Sequence, residues 1–316
     1  VKVTNGGTGR CSVEKLQSAC LDFLYGDFET VTFYGRHTME RNLQRQKVGH
    51  GQFVIESRRG NSGHQYNPMM ILCRPETTEE AGDCYAMNFV YSGGFSASAE
   101  KDQMDQTRCL MGLMTEDLSY PLSADESLYG PEVILTYSDR GFQQLSHNLH
   151  RIIRDHIIRG PYKDAKRAVL INSWEACYFD FTGETVIRLA EEAAALDIEM
   201  LVLDDGWFGK RNDDYAGLGD WYVNEEKLGM TLSELVGRVK ETGLKFGIWI
   251  EPEMVSEDSD LYRAHPDWAM TIPGRDPVRS RYQLVLDFSR GEVVDAIFAQ
   301  LCALLDQADI SYVKWD

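Results

Sequence analysis

Residues 200–208 read MLVLDDGWF, and they decide the fold class. Four apolar residues in a row, without alternation, are typical of a parallel strand that is covered on both faces. The run ends at Asp204 and Asp205, where such a strand delivers side chains to a ligand site. The same order of apolar run and polar ending occurs again in AVLINSWE at 168–175, FGIWIEPEM at 246–254 and YVKWD at 312–316.

Helical patterns separate these runs. TLSE at 231–234 is a capping-box sequence that predicts the start of a helix. Further along, Val294, Ile297, Leu301 and Leu304 recur at helical spacing. Four β/α units in succession predict a parallel sheet, here the first half of a (β/α)₈ TIM barrel. A doubly wound sheet is the alternative, but no G-x-G-x-x-G follows the first run to support a nucleotide site.

The residues before about 140 have a different pattern. YAMNFVY at 85–91 alternates between two faces, as expected of a half-buried antiparallel strand. Similar short runs before and after it predict an N-terminal antiparallel β-sandwich. We therefore predict a β-sandwich domain at 1–140, a connecting helix at 141–160 and the half-barrel at 161–316.

Composition limits the partners. A formal net charge of −18 argues against nucleic acid and against anionic membranes, because both would be repelled. The 7 cysteines are scattered without a C-x-x-C pair, so we interpret them as free thiols in a reducing cytoplasm and predict no metal site. The chain starts at Val1 and stops inside a predicted strand, which leads us to expect a piece of a longer protein.

The polar endings of the four runs contain carboxylates, tryptophans or both, which is the mixture that a sugar pocket requires. Indole rings pack on the apolar faces of a pyranose, carboxylates accept from its hydroxyls, and a lysine donates to them. Lys314 and Asp316 are two residues apart on a predicted strand and so share a face. An ammonium beside a carboxylate favours the charged form that a nucleophile needs.

The sequence resembles glycoside hydrolase family 36 over nearly its whole length. The motifs that carry the resemblance are INSWEACYFDF, LVLDDGWFGKRNDD, LGDWYVNEEKLG, KFGIWIEPEMVSEDSDLY, HPDW, RYQLVLDFSR and YVKWD, with HQYNPMMILCRPETTEEAGDCYAMNFVYSGGF upstream. The resemblance implies a retaining α-galactosidase that hydrolyses terminal α-linked galactose from melibiose- and raffinose-type oligosaccharides. It also implies that the protein uses no cofactor and forms a homo-oligomer such as a tetramer.

The resemblance further implies roles for matching positions. Asp316 would be the catalytic nucleophile of a double displacement, and the acid/base would lie on a later barrel strand outside this chain, which alone would be inactive. Asp204 and Asp205 would hydrogen-bond galactose hydroxyls 4 and 6. The other substrate-binding positions would be Lys314 and Arg281, with Trp174 and Trp249 as pocket walls.

Other interpretations stay open at this point. An α-N-acetylgalactosaminidase or a raffinose-synthase-like galactosyltransferase would share the motifs, and a non-catalytic carbohydrate-binding protein would share the acids and tryptophans. A divalent-metal barrel enzyme would also use acids at strand ends. Glu251 and Glu253 are rival carboxylates, for which we expect a structural or supporting role, and Asp213 and Asp214 are expected to lie in a solvated loop.

Overall fold

The structure is a computed structural model that describes residues 1–316. The chain divides into two units, Val1–Asp164 and Ala165–Asp316. No helix is both long and apolar enough to cross a membrane.

The first unit is built from antiparallel strands. A five-stranded sheet has the order Glu132–Ser138, Cys84–Val90, Met69–Cys73, Glu29–Arg36 and Met39–Lys47. A four-stranded sheet has the order Gln17–Phe23, Thr107–Leu113, Phe95–Lys101 and Gly51–Glu56. Two short ribbons pair Lys2–Thr4 with Ser127–Tyr129 and Cys11–Val13 with Tyr120–Leu122. Phe95 and Met111 from one sheet pack in one core with Met70 and Met87 from the other, so the predicted sandwich is confirmed.

The predicted connecting helix forms at Gly141–Ile152 and continues as a π-helical turn at Ile153–Ile157. Its apolar stripe places Leu145 and Leu149 in a core with Val31 and Ile71 of the five-stranded sheet. The helix is therefore covered on its apolar side within the first unit.

The second unit contains four parallel strands that pair in chain order. We call them the first to fourth parallel strands: Leu170–Asn172, Met200–Leu203, Lys245–Ile250 and Tyr312–Trp315. The longer helices between them are Gly183–Ala194, Leu232–Glu241 and Gly291–Leu305. The shorter elements are the helices Trp174–Cys177, Glu225–Leu228, Asp260–Ala264 and Pro266–Trp268, and an antiparallel ribbon of Met254–Ser256 with Gln283–Val285. This is the predicted half of a (β/α)₈ barrel.

Local sequence explains where the helices begin. Thr182 caps Gly183–Ala194 by accepting from the Thr185 backbone N–H, in a reciprocal capping box. Thr231 accepts from the Glu234 backbone N–H over 3.2 Å, so the predicted helix start is correct. Leu235, Val236 and Val239 then face Ile248 and its neighbours in the barrel core.

Several large apolar side chains of the second unit are exposed. Phe298 of the last helix is 67% exposed, and Trp315 of the fourth parallel strand is 58% exposed. Leu170, Val294, Leu305 and Tyr312 are also exposed.

Candidate active site

Asp204, directly after the second parallel strand, accepts hydrogen bonds from several neighbouring groups. Asp204 is 3% exposed, and its Oδ2 accepts from Lys314 Nζ at 2.8 Å and from Asn172 Nδ2 at 2.5 Å. Its backbone N–H donates to Ser173 Oγ at 3.0 Å. Its Oδ1 accepts the backbone N–H of Asp205 at 2.9 Å. A buried carboxylate needs such partners, because an unpaired buried charge is costly.

Asp205 is held by a buried arginine that the sequence analysis did not identify. Arg211 Nε lies 3.1 Å from each carboxylate oxygen of Asp205, and Nη2 lies 2.9 Å from Oδ2. The two side chains are 1% and 4% exposed. Burial raises the pKa of Asp205, while the hydrogen bonds and charge of Arg211 oppose that rise.

The fourth parallel strand places Lys314 and Asp316 on one face, as their spacing predicts. Lys314 Nζ lies 2.8 Å from Asp204 Oδ2 and 3.7 Å from Asp316 Oδ2. Trp249 Nε1, from the third parallel strand, donates to the same Asp316 oxygen at 2.9 Å. The side chain of Asp316 is 54% exposed. Three neighbouring strands therefore bring Asp204, Trp249, Lys314 and Asp316 together, with one cation between two carboxylates.

The two predicted wall tryptophans differ in setting. Trp249 is buried and packs in an aromatic group with Phe208 and Trp221. Trp174 is half-buried and packs edge-on against Phe179, with ring centroids 5.0 Å apart. Its backbone N–H donates to Asn172 Oδ1 at 2.8 Å, which ties it to the end of the first parallel strand.

Arg281 does not form an ion pair with Asp204, Asp205 or Asp316. Its Nη2 lies 3.0 Å from Asp214 Oδ1, and its side chain is 58% exposed. Asp214 lies in a loop with its side chain 41% exposed, and it pairs with Arg281 and lies 3.6 Å from Arg211 Nη2. No local sequence pattern predicts this pairing, since the partners are 67 residues apart.

Glu251 and Glu253 follow the third parallel strand in different environments. Burial is the main reason that the pKa of Glu251 rises to about 7; the hydrogen bond from Gln283 Nε2, 2.9 Å long, opposes the rise and the charge of Asp316 adds to it. Glu253 instead accepts from Trp315 Nε1, at 3.0 and 3.1 Å. Both contacts fit the supporting roles that the sequence suggested.

The arrangement suits a carboxylate that attacks a sugar. Asp316 is reachable from solvent, and a cation and an indole N–H compensate its charge. Buried acids beside it offer acceptors for hydroxyl groups. Within residues 1–316, no group of three or more His, Cys, Asp or Glu side chains is arranged to hold a metal ion.

Two family models cover nearly all of the chain. The glycosyl hydrolase family 36 N-terminal domain matches residues 1–123, and Melibiase matches residues 127–316. The chain belongs to glycosyl hydrolase family 36. Its family assignment agrees with the motifs that end the four parallel strands.

Named family 36 relatives are similar along the entire chain. The bifunctional alpha-galactosidase/sucrose kinase AgaSK of Mediterraneibacter gnavus is 61% identical over 316 residues, which cover 100% of this chain and 34% of that protein. Alpha-galactosidase Mel36A of Lactobacillus acidophilus is 43% identical, again over 100% of this chain and 43% of that protein. The chain therefore spans less than half the length of these relatives.

Solved structures agree with the fold. The galactosidase domain of AgaSK matches with a TM-score of 0.97 at 61% identity, covering 100% of this chain and 44% of that one. A variant of the α-galactosidase AgaA from Geobacillus stearothermophilus, in complex with raffinose, matches with a TM-score of 0.97 at 43% identity, covering 100% and 44%.

Proposed function

We propose that this chain supplies the nucleophile side of a retaining α-galactosidase active site, which removes terminal α-linked galactose from melibiose- and raffinose-type oligosaccharides. The observation that carries the proposal is the position of Lys314 Nζ, 2.8 Å from Asp204 and 3.7 Å from Asp316 at adjacent strand ends. The relatives that match the chain are named α-galactosidases, and one matching structure contains raffinose.

Asp316 is the nucleophile in this mechanism. Its Oδ2 receives the indole N–H of Trp249 and faces Lys314, which leaves Oδ1 for attack on the anomeric carbon. The bond from that carbon to the leaving oxygen breaks as the ester bond to Asp316 forms, and a second carboxyl protonates the leaving oxygen. That carboxyl then activates water, which cleaves the ester with net retention. The family resemblance assigns the second carboxyl to a later strand than the four described here.

Galactose recognition rests on the buried acids and the residues around them. Asp204 and Asp205 accept from hydroxyls 4 and 6, and Lys314 donates to a further hydroxyl. Trp249 and Trp174 form apolar walls for the ring. Arg281 extends from its turn toward the outer part of the substrate. Metal and nucleotide cofactors have no part in this chemistry.

The wider organisation is part of the proposal. We infer domain bounds at 1–140 and 161–316 with a connecting helix at 141–160, a cytoplasmic location, and a homo-oligomer, with a tetramer as the expected form. Light scattering on the full-length polypeptide in which these residues occur tests the oligomeric state. A monomeric mass at micromolar concentration would contradict it.

The decisive experiment compares Asp316→Asn with Asp306→Asn in that full-length polypeptide. Asp306 is an exposed acid at the end of the last helix and serves as the matched control. We expect hydrolysis of p-nitrophenyl α-galactoside by the wild type and the control, and a loss of kcat by about 10⁴-fold or more in Asp316→Asn. NMR should show the α-anomer of galactose as the first product.

Other outcomes identify the competing functions. Near-normal turnover in Asp316→Asn would refute the mechanism. Preference for the N-acetylated substrate would indicate an α-N-acetylgalactosaminidase, and transfer to sucrose rather than water would indicate a galactosyltransferase. Galactose binding without turnover would indicate a non-catalytic carbohydrate-binding protein.

A further inference from the structure

Two loops of the second unit contact each other through consecutive residue pairs. The loop after the second parallel strand carries Asp214 and Tyr215, and the segment before the strand Gln283–Val285 carries Arg281 and Tyr282. Asp214 Oδ1 lies 3.0 Å from Arg281 Nη2. The rings of Tyr215 and Tyr282 are 4.3 Å apart between centroids. An ion pair and an aromatic contact thus join the loops side by side.

The turn that carries Arg281 has an unfavourable backbone. Ser280 and Gln283 exchange backbone hydrogen bonds of 3.3 and 3.0 Å around it. Arg281 has φ 51° and Tyr282 has φ 64°, both in the left-handed region. Two central residues of this kind define a type I′ turn, which strongly prefers glycine and asparagine. Arginine and tyrosine persist there only when surrounding contacts hold them.

Asp214 connects this turn to the buried acids. Arg211 Nη2 lies 3.6 Å from Asp214 Oδ1 while the same guanidinium binds both oxygens of Asp205. Charges therefore alternate along Asp205, Arg211, Asp214 and Arg281, and we call these four residues the ion-pair chain. The far end of the turn has a separate anchor, since Gln283 Nε2 donates to Glu251 at 2.9 Å.

We propose that Asp214 is a positioning residue that holds the strained turn closed and keeps Arg281 over the substrate. The inference rests on the proposed function, because it assumes that Arg281 contacts the substrate near Asp205. Without the charge of Asp214, the turn relaxes and Arg281 moves away from Asp205 and the substrate. The anchor at Gln283 remains, so the residues around Asp316 keep their geometry. Substrate binding should therefore weaken while turnover of bound substrate is retained.

The test compares Asp214→Asn with Asp213→Asn in the full-length polypeptide. Both variants replace one aspartate by asparagine. Asp213 Oδ1 accepts the Tyr215 backbone N–H at 2.8 Å, and the asparagine oxygen of the control can accept the same N–H. We expect Asp214→Asn to raise KM for p-nitrophenyl α-galactoside about fivefold to tenfold, as for loss of one charge-assisted contact, with kcat within about twofold. The control should match the wild type.

A double variant separates positioning from general destabilisation. If Asp214 acts through Arg281, then Asp214→Asn adds nothing to KM once Arg281→Ala is present. An equal KM increase in both backgrounds, or a lower melting temperature with unchanged KM, would overturn the proposal.

Proteolysis gives a readout that does not need activity. Trypsin cleaves after Arg281 and after the nearby Arg279, and an opened turn is a better substrate. We expect faster cleavage after Arg281 in Asp214→Asn than in Asp213→Asn. Equal rates would refute the proposal that Asp214 holds the turn closed. If the wild type fails to hydrolyse α-galactosides, the proposed function fails, and the cleavage comparison still decides whether Asp214 holds the turn.

Discussion

At the scale of single residues, two buried acids of the second unit are each paired with a cation. Asp204 is neutralised by Lys314, and Asp205 by Arg211. A buried ion pair adds little net stability, because desolvation offsets attraction, but removal of one partner leaves an uncompensated charge. The consequence is that Asp205 depends on a cation six residues along its own loop, whereas Asp204 depends on one 110 residues away.

Arg211→Ala should therefore be severely destabilising. We expect a loss of about 3–5 kcal/mol in the free energy of unfolding, since Asp205 would be left buried and unpaired. Arg238→Ala is the matched control, because Arg238 also pairs with a carboxylate, that of Glu184, but both are exposed. Its loss should leave the free energy of unfolding nearly unchanged, because solvent screens an exposed pair. All 6 tryptophans lie in the second unit, so urea unfolding of the dilute chain followed by tryptophan fluorescence reports on that unit. Equal losses would contradict the burial argument.

Glu251 should make the stability of the second unit depend on pH. Its pKa is about 7 in the folded state against an ordinary value near 4.5. Between these two pH values, the folded state therefore holds a proton that the unfolded state has released. This contribution is fully present below about pH 4.5 and is lost as pH rises through about 7; it amounts to roughly 3 kcal/mol.

Glu251→Gln should remove that dependence. The variant keeps an acceptor for Gln283 but does not ionise, so its stability should fall less between pH 5 and pH 8 than that of the wild type. Glu253→Gln is the control, two residues along the chain, and should retain the wild-type response. The measurement is the urea midpoint at both pH values. A wild-type response in Glu251→Gln would show that another group is responsible.

At the scale of elements, two helical glycines have opposite roles. A Cβ on Gly183, at the start of Gly183–Ala194, would lie 2.7 Å from the backbone oxygen of Leu228. A Cβ on the exposed Gly237, within Leu232–Glu241, would meet nothing within 4 Å. The first glycine permits a close approach, whereas the second only lowers helix propensity.

The two alanine substitutions should therefore shift stability in opposite directions. Gly183→Ala should cost about 1–3 kcal/mol, because a backbone atom must move. Gly237→Ala should stabilise by about 0.5–1 kcal/mol. Urea unfolding of both variants provides the measurement. Stabilisation by Gly183→Ala would mean that the contact with Leu228 relaxes at little cost.

The sequence was informative where a local pattern decides the structure. The apolar run at 200–203 coincides with the strand Met200–Leu203, and the spacing of Lys314 and Asp316 placed both on one face. It was uninformative where distant segments meet. Arg211 follows a glycine-containing loop and resembles any surface cation, and Asp214 lies 67 residues from Arg281. No local pattern predicts such pairs, because the fold of the loops sets them.

At the scale of the whole molecule, the exposed apolar side of the last helix, Gly291–Leu305, should control association. Val294 and Phe298, four residues apart, lie on that side, and exposed apolar groups of this kind promote self-association. We expect the 316-residue chain alone to bind a hydrophobic dye and to form larger species as its concentration rises.

Phe298→Ser tests whether that side is covered in a longer polypeptide. In the 316-residue chain it should reduce self-association, and in the full-length polypeptide it should lower the melting temperature, because a packed ring would be lost. Leu196→Ser is the control, since Leu196 is 75% exposed near the end of Gly183–Ala194. No change in melting temperature with Phe298→Ser would show that the side stays open to solvent.

The pairing of the parallel strands in chain order has a consequence for synthesis. Each strand finds its neighbour in the segment made just before it, so loop closure costs little and every β/α unit adds to a surface that already exists. The half-barrel is thus suited to assemble stepwise as it leaves the ribosome. In that order the strand with Lys314 docks onto an Asp204 that is already in place, and Asp316 is positioned after it.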